Sequence, residues 1–153
     1  YGQRGPVPDG DYTVPIGLAA VRREGKDLTI VTCGGMVLKA DAAAEALKRK
    51  GIEIEIVDLR SLAPLDKKSV LDSVAKTKRA IVLDEGPMVG GVSAEIAAMI
   101  QENLFSDLKG PVLRIAAQPI PPPHSPPLVD AMVPDVDQIV DAVMRLAEGG
   151  KAH

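Results

Sequence analysis

Few side chains in this sequence are typed and spaced for chemistry. Asp58 and Arg60 stand where the alternating run Ile52-Glu-Ile-Glu-Ile-Val57 ends, and Asp84-Glu85 close a second apolar run, Arg79-Ala-Ile-Val-Leu83. Acids at the ends of buried strands are the groups with which doubly wound proteins reach ligands and metals. Gly34-Gly35 and Gly90-Gly91 each precede a helical pattern, where backbone N–H groups can face an anion. Cys33 is the only cysteine, and the two histidines are His124, inside a proline run, and His153, at the last position.

Each of these has a plainer reading, and spacing favours it. Acid–base catalysis needs a histidine or a perturbed carboxylate beside a nucleophile, and neither histidine falls in a patterned element. No serine sits in a nucleophile elbow, no histidine pair has metal spacing, and no full phosphate loop is present. Close strand–helix packing accounts for the paired glycines, core packing for Cys33, and capping or a basic partner for Asp84-Glu85. Asp58, Arg60 and Pro64 read as a structural turn, with the Arg60 guanidinium pairing a carboxylate, Asp58 being nearest. If that pair is buried, Arg60→Ala should cost about 3–5 kcal/mol.

The elements that position these groups follow from hydrophobic period. Leu18–Arg23 reads as a short strand, and the turn Glu24-Gly-Lys-Asp27 as a hairpin into Leu28–Cys33, an antiparallel edge pair. Met36–Lys50 is a helix with an apolar stripe, stopped by Gly51. Ile52–Val57 alternates with Glu53 and Glu55, the period of a strand with one apolar and one charged face. Pro64 keeps Ala63 out of helical geometry, and Asp66 is a good cap for a helix to Lys76. A third buried strand at Arg79–Leu83, a helix at Ala94–Phe105 capped by Ser93, a strand at Pro111–Ile115 and a helix at Asp135–Ala147 complete the alternation. Pro119–Pro127 holds six prolines in nine residues and suits polyproline II. Alternating strands and helices indicate a doubly wound α/β domain. Residues 1–17, with four Gly and three Pro, read as a linker or arm, 18–147 as the domain, and 148–153 as a flexible tail.

Composition narrows the function. A chain of 153 residues, 46% apolar and 25% charged, holds one soluble domain with a real core. Aromatics make up only 2%, so no stacking platform for bases is available, and a net charge of -3 without a basic cluster argues against nucleic acid. One cysteine excludes an intrachain disulfide, no apolar run reaches the length of a membrane span, and no signal sequence is visible. The first residues, Tyr-Gly-Gln without Met, read as those of a fragment or processed product.

Several stretches in order carry a resemblance: Val7–Gly17, Gly25–Thr32, Val57-Asp-Leu-Arg-Ser-Leu-Ala-Pro-Leu-Asp66, Gly90–Ile96, Pro111–Ile115 and Val133–Ile139. Together they resemble the transketolase C-terminal domain of the beta subunit of thiamin-diphosphate-dependent 2-oxo acid dehydrogenases, such as those acting on pyruvate or branched-chain 2-oxo acids. The resemblance implies a three-layer, five-stranded, mostly parallel sheet with one antiparallel edge strand. It implies a non-catalytic assembly domain of an oxidoreductase, with thiamin diphosphate and Mg in the whole enzyme and no cofactor in this part. Implied partners are the beta twin, the alpha subunit and the subunit-binding domain of the dihydrolipoyl acyltransferase, in a bacterial cytoplasm or mitochondrial matrix.

The candidate twin interface is Tyr12, Val14, Ile16, His124, Leu128, Met132 and Val133. Asp107 and Lys109 are the candidate docking residues, Lys109 standing where relatives often carry an acid. Two other readings stand beside that of an assembly domain, and the Val57–Asp66 match favours it over a free-standing module. One is a free-standing flavodoxin-like ligand-binding or regulatory module using the Gly90-Gly91 turn, and the other is the same domain of transketolase or acetoin dehydrogenase.

Overall fold

Five runs form the strands β1 (Ala20–Arg23), β2 (Leu28–Thr32), β3 (Ile54–Asp58), β4 (Ala80–Pro87) and β5 (Leu113–Ala117), the three central ones rich in Ile, Val and Leu. They are joined by α1 (Met36–Lys48), α2 (Lys67–Thr77), α3 (Val92–Leu104), a 3-10 turn at Phe105–Asp107, α4 (Pro126–Met132) and α5 (Val136–Ala147). The computed structural model describes residues 6–147; the expected tail at 148–153 and residues 1–5 of the arm lie outside them. Sheet order is β1-β3-β2-β4-β5, with β1 antiparallel to β3 and every other pairing parallel.

The hairpin expected between the first two strands does not form, because β3 inserts between them. The connecting turn instead crosses the foot of β3, where the Lys26 and Asp27 amides both donate to Glu53 O at 3.1 and 3.0 Å. Gly25 is required there: a Cβ on it would lie 2.2 Å from the Glu55 amide nitrogen.

Strand period sorts the core into two layers. Leu28, Ile30, Ile54, Ile56, Ile81 and Leu83 pack on α1 and α5 through Met36, Ala40, Leu47, Ile139, Val143 and Leu146. Val31, Val57 and Val82 face the other way, onto Val70 and Val74 of α2 and Ile96 and Ile100 of α3. The second face of β3, read from the sequence as the charged one, is buried. Glu55, 1% exposed, lies under α2 and accepts from the Gly25 amide at 3.2 Å, from Ser73 Oγ and from Lys76 Nζ.

Two helix starts also differ from expectation. The α3 cap is Gly91, and Ser93 lies inside the first turn with its side chain fully buried. The proline run yields its last two members, Pro126 and Pro127, to the first turn of α4. Prolines fit there because first-turn amides have no intrahelical acceptor to lose. The last helix starts as expected, with Asp135 Oδ1 accepting from the Gln138 amide at 2.8 Å while Gln138 Oε1 accepts from the Asp135 amide at 3.1 Å.

Candidate functional site at the carboxyl edge of the sheet

The turn from β3 into α2 is tied by backbone and short side chains rather than by an ion pair. Asp58 Oδ1 accepts from the Arg60 amide at 3.1 Å. Arg60 itself is exposed, in left-handed geometry at φ 54, and its guanidinium joins no ion pair among the described residues. The expected pairing of the Arg60 guanidinium with Asp58 is therefore corrected: Asp58 holds the turn through main chain, leaving the cation without an ion pair among the described residues. Ser61 Oγ donates to Pro64 O at 2.9 Å, and the Ala63–Pro64 bond is cis.

Asp66 ends the turn with two tasks. Its carboxylate caps α2, accepting from the Ser69 amide at 3.1 Å and Ser69 Oγ at 2.7 Å, and it takes the Ala19 amide at 2.9 Å. Those hydrogen bonds, from the Ser69 side chain and amide first and then Ala19, hold its carboxyl below the usual range. Gly17, at φ 81, lies so close to Pro64 that a Cβ would meet Pro64 Cγ at 2.7 Å. The Val57–Asp66 stretch thus anchors the root of the arm.

The second half of the edge belongs to Asp84 and Glu85. Asp84, 7% exposed, accepts from the Gly86 amide at 2.9 Å and the Ser93 amide at 3.3 Å, so it sits at the start of α3. Gly91 must be glycine, since a Cβ would lie 2.1 Å from Pro87 O. Glu85 closes the other glycine pair: Cβ atoms on Gly34 and Gly35 would lie 3.5 and 3.3 Å from its carboxylate oxygens. Cys33 lies half-buried between them, its thiol pushed up by burial first and then by the negative charges of Asp84, Glu85 and Asp58.

This arrangement decides against an anion at either glycine pair. A bare anion approaching the start of α1 or α3 would meet a carboxylate already in place. Among the described residues no three His, Cys, Asp or Glu side chains gather to hold a metal ion. Between β1, the β3–α2 turn and the start of α1 lies an open cleft of about 780 Å³ lined by Arg22, Gly34, Gly35, Leu38, Asp58 and Arg60.

The remaining sequence candidates are spread over the surface. Tyr12, Val14, Ile16, His124 and Leu128 are exposed, whereas Met132 and Val133 are half-buried at the end of α4. Asp107 and Lys109 flank the turn after α3, beside the exposed Phe105. The polar residues that sequence reasoning missed are Thr29, Ser73 and Thr77, whose hydroxyls interlock at 2.8–2.9 Å under α2 beside Glu55. A signal existed: Ser73 and Thr77 continue the inward stripe of Val70 and Val74 at helical spacing.

An open, mostly parallel sheet with an antiparallel edge strand and helices on both faces defines a mixed α/β domain. The chain belongs to the transketolase C-terminal domain family, whose model matches residues 17–139. It is 42% identical over 99% of its length to the beta subunit of an acetoin:2,6-dichlorophenolindophenol oxidoreductase of Cupriavidus necator, covering 45% of that protein. It is 41% identical to the beta subunit of the pyruvate dehydrogenase E1 component of Rhizobium meliloti, over 94% of this chain and 31% of that one.

A mitochondrial counterpart from Arabidopsis thaliana is 42% identical over 95% of this chain and 41% of its own. The chain spans less than half the length of these curated relatives. A solved split-gene transketolase, an inactive beta4 tetramer, superposes with a TM-score of 0.72 at 27% identity over 88% of this chain and 44% of that one. No helix among the described residues is long and apolar enough to cross a membrane.

Proposed function

We propose that this chain is the non-catalytic assembly domain of the beta subunit of a thiamin-diphosphate-dependent 2-oxo acid dehydrogenase. The whole enzyme decarboxylates a 2-oxo acid oxidatively and passes the acyl group to lipoyl. The observation that carries this reading is near end-to-end similarity to dehydrogenase beta subunits, 38% identity to the 2-oxoisovalerate enzyme of Bacillus subtilis included. The carboxyl edge supports it, because its acids are spent on caps and turns rather than left facing a substrate.

In this reading residues 1–17 connect, 18–147 pack against the twin beta and alpha subunits, and 148–153 form a tail. Tyr12, Val14, Ile16, His124, Leu128, Met132 and Val133 contribute to the twin contact. Asp107 and Lys109, next to Phe105, meet the acyltransferase's subunit-binding domain. Thiamin diphosphate and Mg belong to the rest of the enzyme, which works in a bacterial cytoplasm or mitochondrial matrix. A second reading rests on the two acetoin oxidoreductase beta subunits, at 42% and 40% identity, and keeps the same assembly role with acetoin as substrate.

Calorimetry tests the non-catalytic half of this reading. The chain titrated with thiamin diphosphate and Mg²⁺ should give no binding heat, and it should show no turnover of pyruvate, 2-oxoisovalerate or acetoin. Stoichiometric micromolar binding of thiamin diphosphate would overturn the reading. Dye reduction by a longer beta polypeptide carrying residues 1–153, combined with its alpha subunit, then chooses among the three substrates.

A further inference from the structure

The arm and the cleft beside Arg60 have complementary unmet needs. Residues 6–15 of the arm have no regular structure, and Tyr12, Val14 and Ile16 are between 54% and 83% exposed. Two acids, Asp9 and Asp11, precede these apolar residues and form no ion pair among the described residues. Across the β3–α2 turn the cleft offers the reverse: the Arg60 guanidinium, without an ion pair among the described residues, and the apolar Leu38, 40% exposed, lining the same cleft. Arg22, the second cation of the cleft, is engaged with Asp41 at 3.2 Å.

We propose that the cleft beside Arg60 receives the acidic arm of a second copy of this chain, with Asp9 and Asp11 supplying the carboxylates that Arg60 lacks. This takes up the twin contact proposed above and gives it a place and a charge pair. Gly17 against Pro64 and Ala19 on Asp66 fix the direction in which the arm leaves its own domain. Along that direction the arm stays exposed and its own Arg60 stays uncovered.

Six residue steps lead from Gly17 to Asp11, a reach of about 20 Å, enough to cross to a neighbour. A two-fold axis repeats the contact, so each arm enters the other copy's cleft and the buried apolar area doubles. The negative wall formed by Glu85 on Gly34-Gly35 confines the arm's acids to the Arg60 side. Left-handed backbone at Arg60 is consistent with a side chain held for a partner, since such strain gathers at functional surfaces.

Sedimentation velocity from about 1 to 100 μM, with a paired charge swap, tests the proposal. The wild-type chain should associate as a dimer. Arg60→Glu, and separately the double variant Asp9→Lys with Asp11→Lys, should each weaken the dimer by about tenfold or more. Mixed in equal amounts, the two variants should recover association, because each heterodimer joins one native pair and one swapped pair. All three sites are exposed, and melting curves unchanged at concentrations too low for dimerisation confirm that the fold is intact. A wild-type monomer throughout the range overturns the proposal, as does a dimer indifferent to both variants. A dimer that ignores Arg60→Glu but is split by Met132→Glu upholds the twin contact and removes the arm from it.

Discussion

The two ends of the parallel sheet handle buried acid differently. At the foot, Glu55 is enclosed by α2 and provided with a cation, Lys76, which also reaches Glu24 of the first turn at 2.9 Å. At the carboxyl edge, Asp84 is almost as deeply buried but has no cation among the described residues; two amides at the start of α3 hold it. Beside it Asp58 holds a turn, and Arg60 joins no ion pair among the described residues. The foot is internally complete, and the edge keeps charge in reserve. In open parallel sheets the crevice for ligands lies outside the carboxyl ends of the strands, where the connecting loops part.

The sharpest way to break this contrast is to remove the closed end. Glu55→Ala would strand the Gly25 amide, Ser73 Oγ and Lys76 without their shared acceptor. A loss of about 3 kcal/mol in urea unfolding is expected. Removing the cation instead, by Lys76→Met, should cost less, about 1–2 kcal/mol, because Lys76 is 46% exposed and water replaces part of its contribution. Equal costs for the two variants would mean that the pair, and not the whole network, closes the foot. At the other end Asp84→Ala is expected to cost about 2 kcal/mol by orphaning the Gly86 and Ser93 amides, with no dependence on salt beyond wild type.

Much of this architecture is legible in the chain alone, and the misreadings share a cause. Asp66 declares itself as a cap through Pro64 and the helical stripe after it, and α5 through its spacing and Asp135. The strand order is not legible: Glu24-Gly-Lys-Asp27 has hairpin chemistry, and only the approach of Gly25 to the β3 backbone shows that the turn spans another strand. Glu55 misleads because alternation reports polarity, not exposure, and its partners lie on α2, some twenty residues away. Arg60 misleads in the opposite sense. An acid and a base two residues apart suggest an ion pair, but Asp58 spends its oxygen on the Arg60 amide instead. Partner choice at short range is set by backbone φ and ψ, which composition does not encode.

A smaller effect distinguishes the two ends by pH. Asp66 carries its cap and the Ala19 amide with a carboxyl held below the usual range, so the folded chain binds fewer protons there than the unfolded one. Its contribution is full above the unfolded value of about 3.9 and is lost as pH falls through the lower folded value. Asp66→Ala should therefore cost about 1–2 kcal/mol at pH 7, roughly 3–6 °C in melting temperature. The gap from wild type should narrow in acid below about pH 4. A gap independent of pH would show that the Ala side chain perturbs the turn by another route.

The smallest expected effect is also the one that most sharpens the comparison. Were Arg60 paired and buried, truncating it would cost several kcal/mol, as at any buried pair. It is instead exposed, outside every ion pair of the described residues and held at φ 54, so Arg60→Ala should change stability by less than about 0.5 kcal/mol. Arg60→Gly should do slightly better than wild type, by about 0.5 kcal/mol, because relief of left-handed strain outweighs the added freedom of the unfolded chain. Both variants keep the amide that Asp58 accepts, so the turn survives in each. The order Gly above Arg, with Ala near Arg, is the signature of a side chain that contributes nothing to its own domain. An Arg60→Ala chain that melts far below wild type would restore the buried pair and make the carboxyl edge as closed as the foot.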